Sequence, residues 1–462
     1  MLLEKVINLR DKIPIITNIG QETVGLDKNK YIGGSDIPII LGLSNFTKAN
    51  KLAKLKHKLI EYENRKNLYV EFEHIFEPYI REEINKKYNI NTIPCCKIIE
   101  KLGLKANTDG YDSKNNILLE VKTNNGNHLN KIDYIVQIQF YMTLFNIKKC
   151  ILAEYKRSVE EELQIENGLN KKASQEELDK IARLLFNPER IFITEIETNP
   201  ILEKEIFEYI ENFKNIDIEM AKRGNNFEIM AKIYGKINTI ADRIKIDEVL
   251  KSMNELDELY KEKAIVKGIE KNIKQFINKK DVINNFKNRE EFKIKPQREL
   301  YSFNEDLFKI ENKELYNEYV EEKETEIEAG TRPKKIRYIP LLEKENQELS
   351  KIEEGFEKLK TDVKENITDY DIDTVCRLNQ NLLNEKEVIE NKTMLAIENF
   401  VDLIKKYGFE NLPNIETKNF YYVKESKIIQ KKLNKRLLEF EQPELLDKYK
   451  TVEILEEEIE FK

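Results

Sequence analysis

Residues 107–123 read NTDGYDSKNNILLEVKT. The apolar run at 117–121 is broken by Glu120 and followed by Lys122, and a second acid, Asp109, stands eleven positions before Glu120. The DSKNN cluster is turn chemistry, so the stretch reads as two strands joined by a turn. Alternation along the second strand puts Glu120 and Lys122 on one face, about 7 Å apart, and the Val121 side chain on the other. Asp109 is expected on a neighbouring turn. Two readings compete. One is an amphipathic hairpin with a wet polar face; the other is a divalent-metal site with Asp109 and Glu120 as ligands and Lys122 beside them.

The spacing D-x10-E-x-K is common and does not choose between them. The chemistry of the second reading is nonetheless coherent. Two carboxylates can hold a hard ion such as Mg²⁺ at oxygen distances of about 2.1 Å, with room for a phosphate oxygen and a water. Such an ion lowers the pKa of the water and offsets charge on a phosphodiester, and a lysine can orient the water or favour the anionic transition state.

Outward from this stretch the pattern is α/β. Residues 70–88 carry Phe72, Phe76, Tyr79, Ile80 and Ile84 at helical spacing, with Glu77 and a kinking or restarting Pro78. Residues 131–146, KIDYIVQIQFYMTLFN, suit a helix that places Gln137 and Tyr141 on one face. CILA at 150–153 reads as a buried strand, and residues 191–213 as a last strand and helix. The segment 158–190 is polar and expected to be peripheral. Near the start, YIGGSDIPIILGLSN at 31–45 reads as a Gly-Gly entry to a short helix, with Ser35 placed to cap it or bind an anion.

At 462 residues the chain exceeds one ordinary domain. Residues 1–150 hold 23 Lys/Arg against 17 Asp/Glu, a net of +6; the rest holds 55 against 68, a net of −13. The basic first part permits nucleic-acid binding without demanding it. Cys95, Cys96, Cys150 and Cys376 form no CxxC pair, which argues against a zinc ribbon, a disulfide framework or an iron–sulfur nuclease. His57, His74 and His128 form no ligand set. MLLEKVINLR lacks a signal-peptide core and no run of about 20 apolar residues occurs, so the expectation is a soluble cytoplasmic protein without a membrane partner.

Taken in order, GGSDIPIILGLS, FEHIFEPYIREE, NTDGY, LLEVKT and VQIQFYM resemble the YqaJ-like viral recombinases, related to the phage lambda exonuclease, in the PD-(D/E)xK restriction-endonuclease-like superfamily. The resemblance covers residues 28–155, with 1–215 as its wider extent. It implies a mixed sheet flanked by helices. It implies a metal-dependent exonuclease that hydrolyses linear duplex DNA from 5′ to 3′ in phage-type recombination or repair, with Mg²⁺, or Mn²⁺ in its place. By position, the family's helical acid matches Glu77, its metal ligands match Asp109, Glu120 and the Val121 carbonyl, its lysine matches Lys122, and its first Q-x-Q glutamine matches Gln137. The family's DNA-phosphate groups match Ser35 and Lys28, the latter standing where an arginine is usual. Glu73 replaces a common glycine and is free to lie outside the site, bind a second ion indirectly or hinder DNA. A single-strand annealing protein or other recombination partner, and a homo-oligomer, are the further partners the resemblance admits. A structure-specific endonuclease and a noncatalytic DNA-binding or phage–host interaction protein remain as alternatives.

The domain expectation is a nuclease domain over 1–215, a helical, coiled-coil-like arm over 216–280, a small mixed segment over 281–340 and a mainly helical region over 341–462. ENKELYNEYV at 311–320 echoes EQPELLDKYK at 441–450; chance and a true repeat explain this about equally well.

Overall fold

Both faces of the strand bearing ILLEV are covered, which is why it reads as a continuous apolar run rather than an alternating one. The computed structural model describes residues 1–17, 29–44, 46–61, 68–125, 132–171, 173–279, 282–287, 289–335, 347–362, 367–455 and 457–461. It divides into two compact units. The first is Met1–Asp242 with Leu412–Asn414; the second is Arg243–Asn411 with Ile415–Lys462. The first unit therefore runs past residue 215: Phe227, Ile229 and Met230 of α8 (Asn226–Ile233) are buried, and Ile229 and Met230 pack in its core.

A mixed sheet organises this unit, in the order β1 (Ile16–Thr17), β2 (Ile93–Ile99), β3 (Leu104–Asp112), β4 (Ile117–Asn124), β5 (Lys149–Lys156) and β6 (Ile191–Glu197). β4 and β5 are parallel and every other neighbouring pair is antiparallel. A parallel pair needs a crossover, supplied by α4 (Ile132–Phe145). On one face Leu118, Cys150 and Leu152 pack with Val136 and Phe140 of α4, Ile206 and Phe207 of α7 (Pro200–Lys214), and Leu2 and Val6 of α1 (Leu2–Arg10). On the other, Leu119, Val121, Ile151, Ala153 and Tyr155 meet α3 (Leu68–Tyr88), α5 (Val159–Asn170) and α6 (Gln175–Leu185).

The expected helix at 70–88 is present and continuous through Pro78. A mid-helix proline costs roughly 3 kcal/mol. The row Phe72, Phe76, Ile80 and Ile84, buried on the sheet, holds both halves and offsets it. The segment 158–190 is not peripheral. Its helices bury Ile165, Leu178 and Ala182 against Tyr155 and close one sheet face. The lysine-rich helix expected at 47–66 is described only as α2 (Ala49–Lys56).

The second unit resolves the sequence echo. It holds the 38-residue helix α13 (Asp369–Lys406) and, from Arg243 on, α9 (Ile240–Ile277). After α9 come β7 (Phe292–Lys295), β8 (Arg298–Phe303), α10 (Glu305–Glu311), α11 (Lys313–Glu318), β9 (Val320–Ile327) and β10 (Gly330–Pro333). After α13 the same order recurs as β11 (Phe420–Val423), β12 (Ser426–Leu433), α14 (Lys435–Glu441), α15 (Pro443–Lys448), β13 (Lys450–Leu455) and β14 (Glu458–Phe461). Strands pair across the repeats: β7 with β14, β8 with β13, β9 with β12, β10 with β11.

Contacts recur at a shift of 130 positions. Asn304 caps α10 through Leu307 N–H and Asn434 caps α14 through Leu437 N–H, each at 3.0 Å. Asn304 N–H donates to Tyr449 O and Asn434 N–H to Tyr319 O, each at 2.8 Å. The Tyr449 hydroxyl donates to Glu311 and the Tyr319 hydroxyl to Glu441. This reciprocal exchange is an internal two-fold repeat, so chance similarity is excluded. Residues 281–340 and 341–462 are accordingly interleaved through their strands. A further helix, α12 (Gln347–Asp362), packs Leu349, Ile352 and Phe356 with both long helices in one core. Among the described residues no helix is long and apolar enough to cross a membrane.

Candidate active site

The β3–β4 ladder runs Asp112↔Ile117, Tyr111↔Leu118, Gly110↔Leu119 and stops. The next residue on each strand is the acid: Asp109 on β3, Glu120 on β4. Asp109 thus lies in a strand, not on a turn as its Asp-Gly sequence suggests. Where the ladder ends, side chains take over. Asp109 Oδ2 accepts the Val121 N–H at 2.7 Å, and the Thr108 hydroxyl donates to Leu119 O at 3.0 Å. In a strand the N–H and C=O of one residue share an edge, so the Val121 carbonyl faces the same opened gap as Asp109.

Glu120 is 2% exposed. Its Oε1 receives Lys122 Nζ and Gln137 Nε2, each at 2.8 Å. Its Oε2 is buried without a hydrogen-bond partner, a costly state for a carboxylate. Lys122 Nζ also lies 2.8 Å from Glu73 Oε1 on α3, and 5.9 Å from the Tyr134 ring centroid. From α4, Gln137 donates to the Tyr141 hydroxyl at 2.8 Å.

α3 aims a row at the gap. Glu73, Glu77 and Arg81 follow at i, i+4 and i+8, hence on one face. Glu77 pairs with Arg81 at 2.5 Å, and Arg81 donates to the Asp109 carbonyl at 2.7 Å. Glu73, Glu77, Asp109 and Glu120 stand against Lys122 and Arg81, four acids to two cations. Burial, and then the Glu120 and Glu77 charges, hold the Asp109 carboxyl well above its usual range. Burial pushes Glu120 up to about 7; Lys122 pulls it down, while Glu73 and Glu77 push it further up. For Lys122 burial acts downward, but the charges of Glu120, Glu73 and Asp109 outweigh it and hold the ammonium protonated well above its ordinary range.

The structure places Asp109 on the Val121 N–H, and Lys122 and Gln137 on Glu120. Among the described residues, however, no three His, Cys, Asp or Glu side chains are grouped as metal ligands. Glu77 is engaged by Arg81 and reaches Asp109 through that guanidinium.

Gly34 packs directly against Tyr141. A Cβ there would lie 2.2 Å from Tyr141 Cε1 and 2.3 Å from its hydroxyl, so only glycine fits. Ser35 follows, exposed, and does not cap the short helix. No side chain caps that helix; Asp36 Oδ2 instead accepts the Gly33 N–H at 2.9 Å and pairs with Lys56 at 2.6 Å. Lys28 and His128 lie outside the described residues. His57 is bonded to Ile216 O at 2.8 Å, away from the acids. Sequence reasoning missed Arg81 and left the part played by Glu73 open. Their spacing of four on either side of Glu77 was the signal that could have found them.

No protein-family model and no curated protein matches the chain. Among solved structures it is similar to an alkaline exonuclease, LHK-Exo, from Laribacter hongkongensis, at 16% identity, covering 45% of this chain and 92% of that one with a TM-score of 0.29. It is also similar to a phage-related exonuclease from Haemophilus somnus 129PT, at 16% identity, covering 38% and 88%, with a TM-score of 0.27.

Proposed function

We propose that the first unit is a metal-dependent DNA exonuclease of the YqaJ-like, PD-(D/E)xK type. The observation that carries this reading is the buried Glu120, one oxygen unpartnered, beside Asp109 in a site with more acids than cations. The donor set of carboxylate oxygens and a main-chain carbonyl suits a hard ion, Mg²⁺ or Mn²⁺, better than a thiolate- or imidazole-seeking one. Asp109, Glu120 and the Val121 carbonyl would hold it, with Glu77 contributing through water. A cation so bound supplies Lewis acidity to a phosphodiester and acidifies a water.

The chain's own groups do the rest. Gln137 fixes the rotamer of Glu120 by donating to Oε1. Arg81 fixes the backbone that carries Asp109. The Lys122 ammonium, paired with Glu120 and Glu73, is read as a positive charge toward a phosphate oxygen. Ser35, exposed next to Gly34, is read as a donor to a DNA phosphate; Lys28 rests on the resemblance alone.

Incubating linear and covalently closed duplex DNA with Mg²⁺ or Mn²⁺ tests the reading. Digestion of linear duplex only, abolished by a chelator, is expected. Cutting of closed circles would make the protein an endonuclease. No metal-dependent cleavage of either would reject the nuclease reading.

A further inference from the structure

One contact in the site is not needed to hold a cation. Lys122 Nζ lies between two carboxylates, 2.8 Å from Glu120 Oε1 and 2.8 Å from Glu73 Oε1, with Tyr134 as a third wall. Glu120 comes from the same strand, two residues away. Glu73 comes from α3, one turn before Glu77 and outside the ligand set proposed above. A surface carboxylate in a chance ion pair would be largely solvated, but the Glu73 side chain is 30% exposed and that of Lys122 only 14%.

A cation and an ammonium compete for the same Glu120 carboxylate. Like charges at such short range in a partly buried site repel strongly. The Lys122 ammonium on Oε1 therefore needs a second anion when a cation at Oε2 draws on the Glu120 charge. Glu73 is that anion. We propose that Glu73 is a positioning residue that shares the Lys122 ammonium with Glu120 Oε1, drawing it over when a divalent cation takes Oε2, and so sets how tightly the site takes that cation. This rests on the metal-site reading above.

Without the Glu73 charge, Lys122 has Glu120 as its near partner, and metal binding has to break that pair. With Lys122 also gone, the charge of Glu73 has little left to act through. The two residues should thus be coupled, which a carboxylate acting as a direct ligand or as diffuse negative charge would not require.

Calorimetric titration with Mn²⁺ in the absence of DNA reads this without reference to turnover. The chains compared are wild type, Glu73→Gln, Glu73→Asp, Lys122→Met and the double variant Glu73→Gln/Lys122→Met. Lys122→Gln stands in should the methionine variant not fold. We expect Glu73→Gln to weaken Mn²⁺ binding about 10-fold when Lys122 is present and by less than about 2-fold when it is absent, with Glu73→Asp recovering most of the loss. Equal losses in both backgrounds, or no loss in either, would overturn the proposal while leaving the metal site standing. Failure of the wild-type chain to bind Mn²⁺ at all would overturn the metal reading, and this proposal with it.

Discussion

Glu120 concentrates the physics of the site in one carboxylate. Period-two alternation put it on the face of Lys122, and that was legible because β4 is a regular strand. Its burial was not legible, because a glutamate inside ILLEV looks equally like the wet side of a hairpin until α4 is packed over it. Burial raises its pKa from 4.5 to about 7, and this has a consequence for stability. A raised acid binds more protons folded than unfolded, so its contribution is fully present below pH 4.5 and lost as pH rises through about 7. Metal-free protein should therefore be less stable at pH 8 than at pH 5.5, by at most about 2 kcal/mol from this group. Mg²⁺ should restore the difference, and Glu120→Gln should remove the Glu120 share of the slope, leaving that of Asp109. Thermal unfolding at the two pH values, with and without Mg²⁺, checks this; a profile rising toward pH 8 in the metal-free wild type would contradict it. Arg81 escaped the sequence reading because a charged run such as Arg81-Glu82-Glu83 on a helix usually faces water. Only the fold shows that its face meets the end of the β3–β4 ladder.

At the scale of elements, helices and strands of the first unit were readable wherever apolar spacing was regular. α3, α4, β5 and β6 lie close to where the pattern puts them. The misreadings have local causes. Asp-Gly resembles a turn, but Gly110 sits in β3, where a Cβ would lie 2.7 Å from Thr92. Ser35 resembles a cap, but Asp36 makes the bond to Gly33 N–H. The Gly34 contact gives a sharp expectation. Gly34→Ala must push Tyr141 aside, and Tyr141 is held by Gln137, which holds Glu120. We expect a loss of about 2 kcal/mol from overpacking, read as a lower unfolding midpoint, together with reduced cleavage at matched folded fraction. Unchanged stability and rate would show that the Tyr141–Gln137–Glu120 chain is not rigid.

For the whole molecule, the first unit was visible in the sequence and the second was not. Its ribbons are two-stranded, and β8 and β13 are exposed on both faces, so the Val452/Ile454 alternation of β13 marks no buried face. The shared ENKELYNEYV/EQPELLDKYK pattern was too short to establish a repeat; the reciprocal bonds of Asn304 and Asn434 establish it. Since all four ladders of that unit join one repeat to the other, a chain ending at residue 335 should leave four strands without partners. Its residues 243–335 should be rapidly cleaved in limited proteolysis, whereas survival of that region as a protected fragment would show that one repeat folds alone. The central claim concerns the other unit: that Asp109 and Glu120 hold a cation that cuts DNA. Glu120→Gln keeps the size of the side chain and its bond to Gln137 within reach while removing the anionic ligand. The most direct measurement is the rate of Mg²⁺-dependent nucleotide release from linear duplex DNA by Glu120→Gln and wild-type protein at equal folded fraction. The account predicts a fall of at least about 100-fold, the scale of losing a charge-stabilising group; rates equal within about threefold would contradict it.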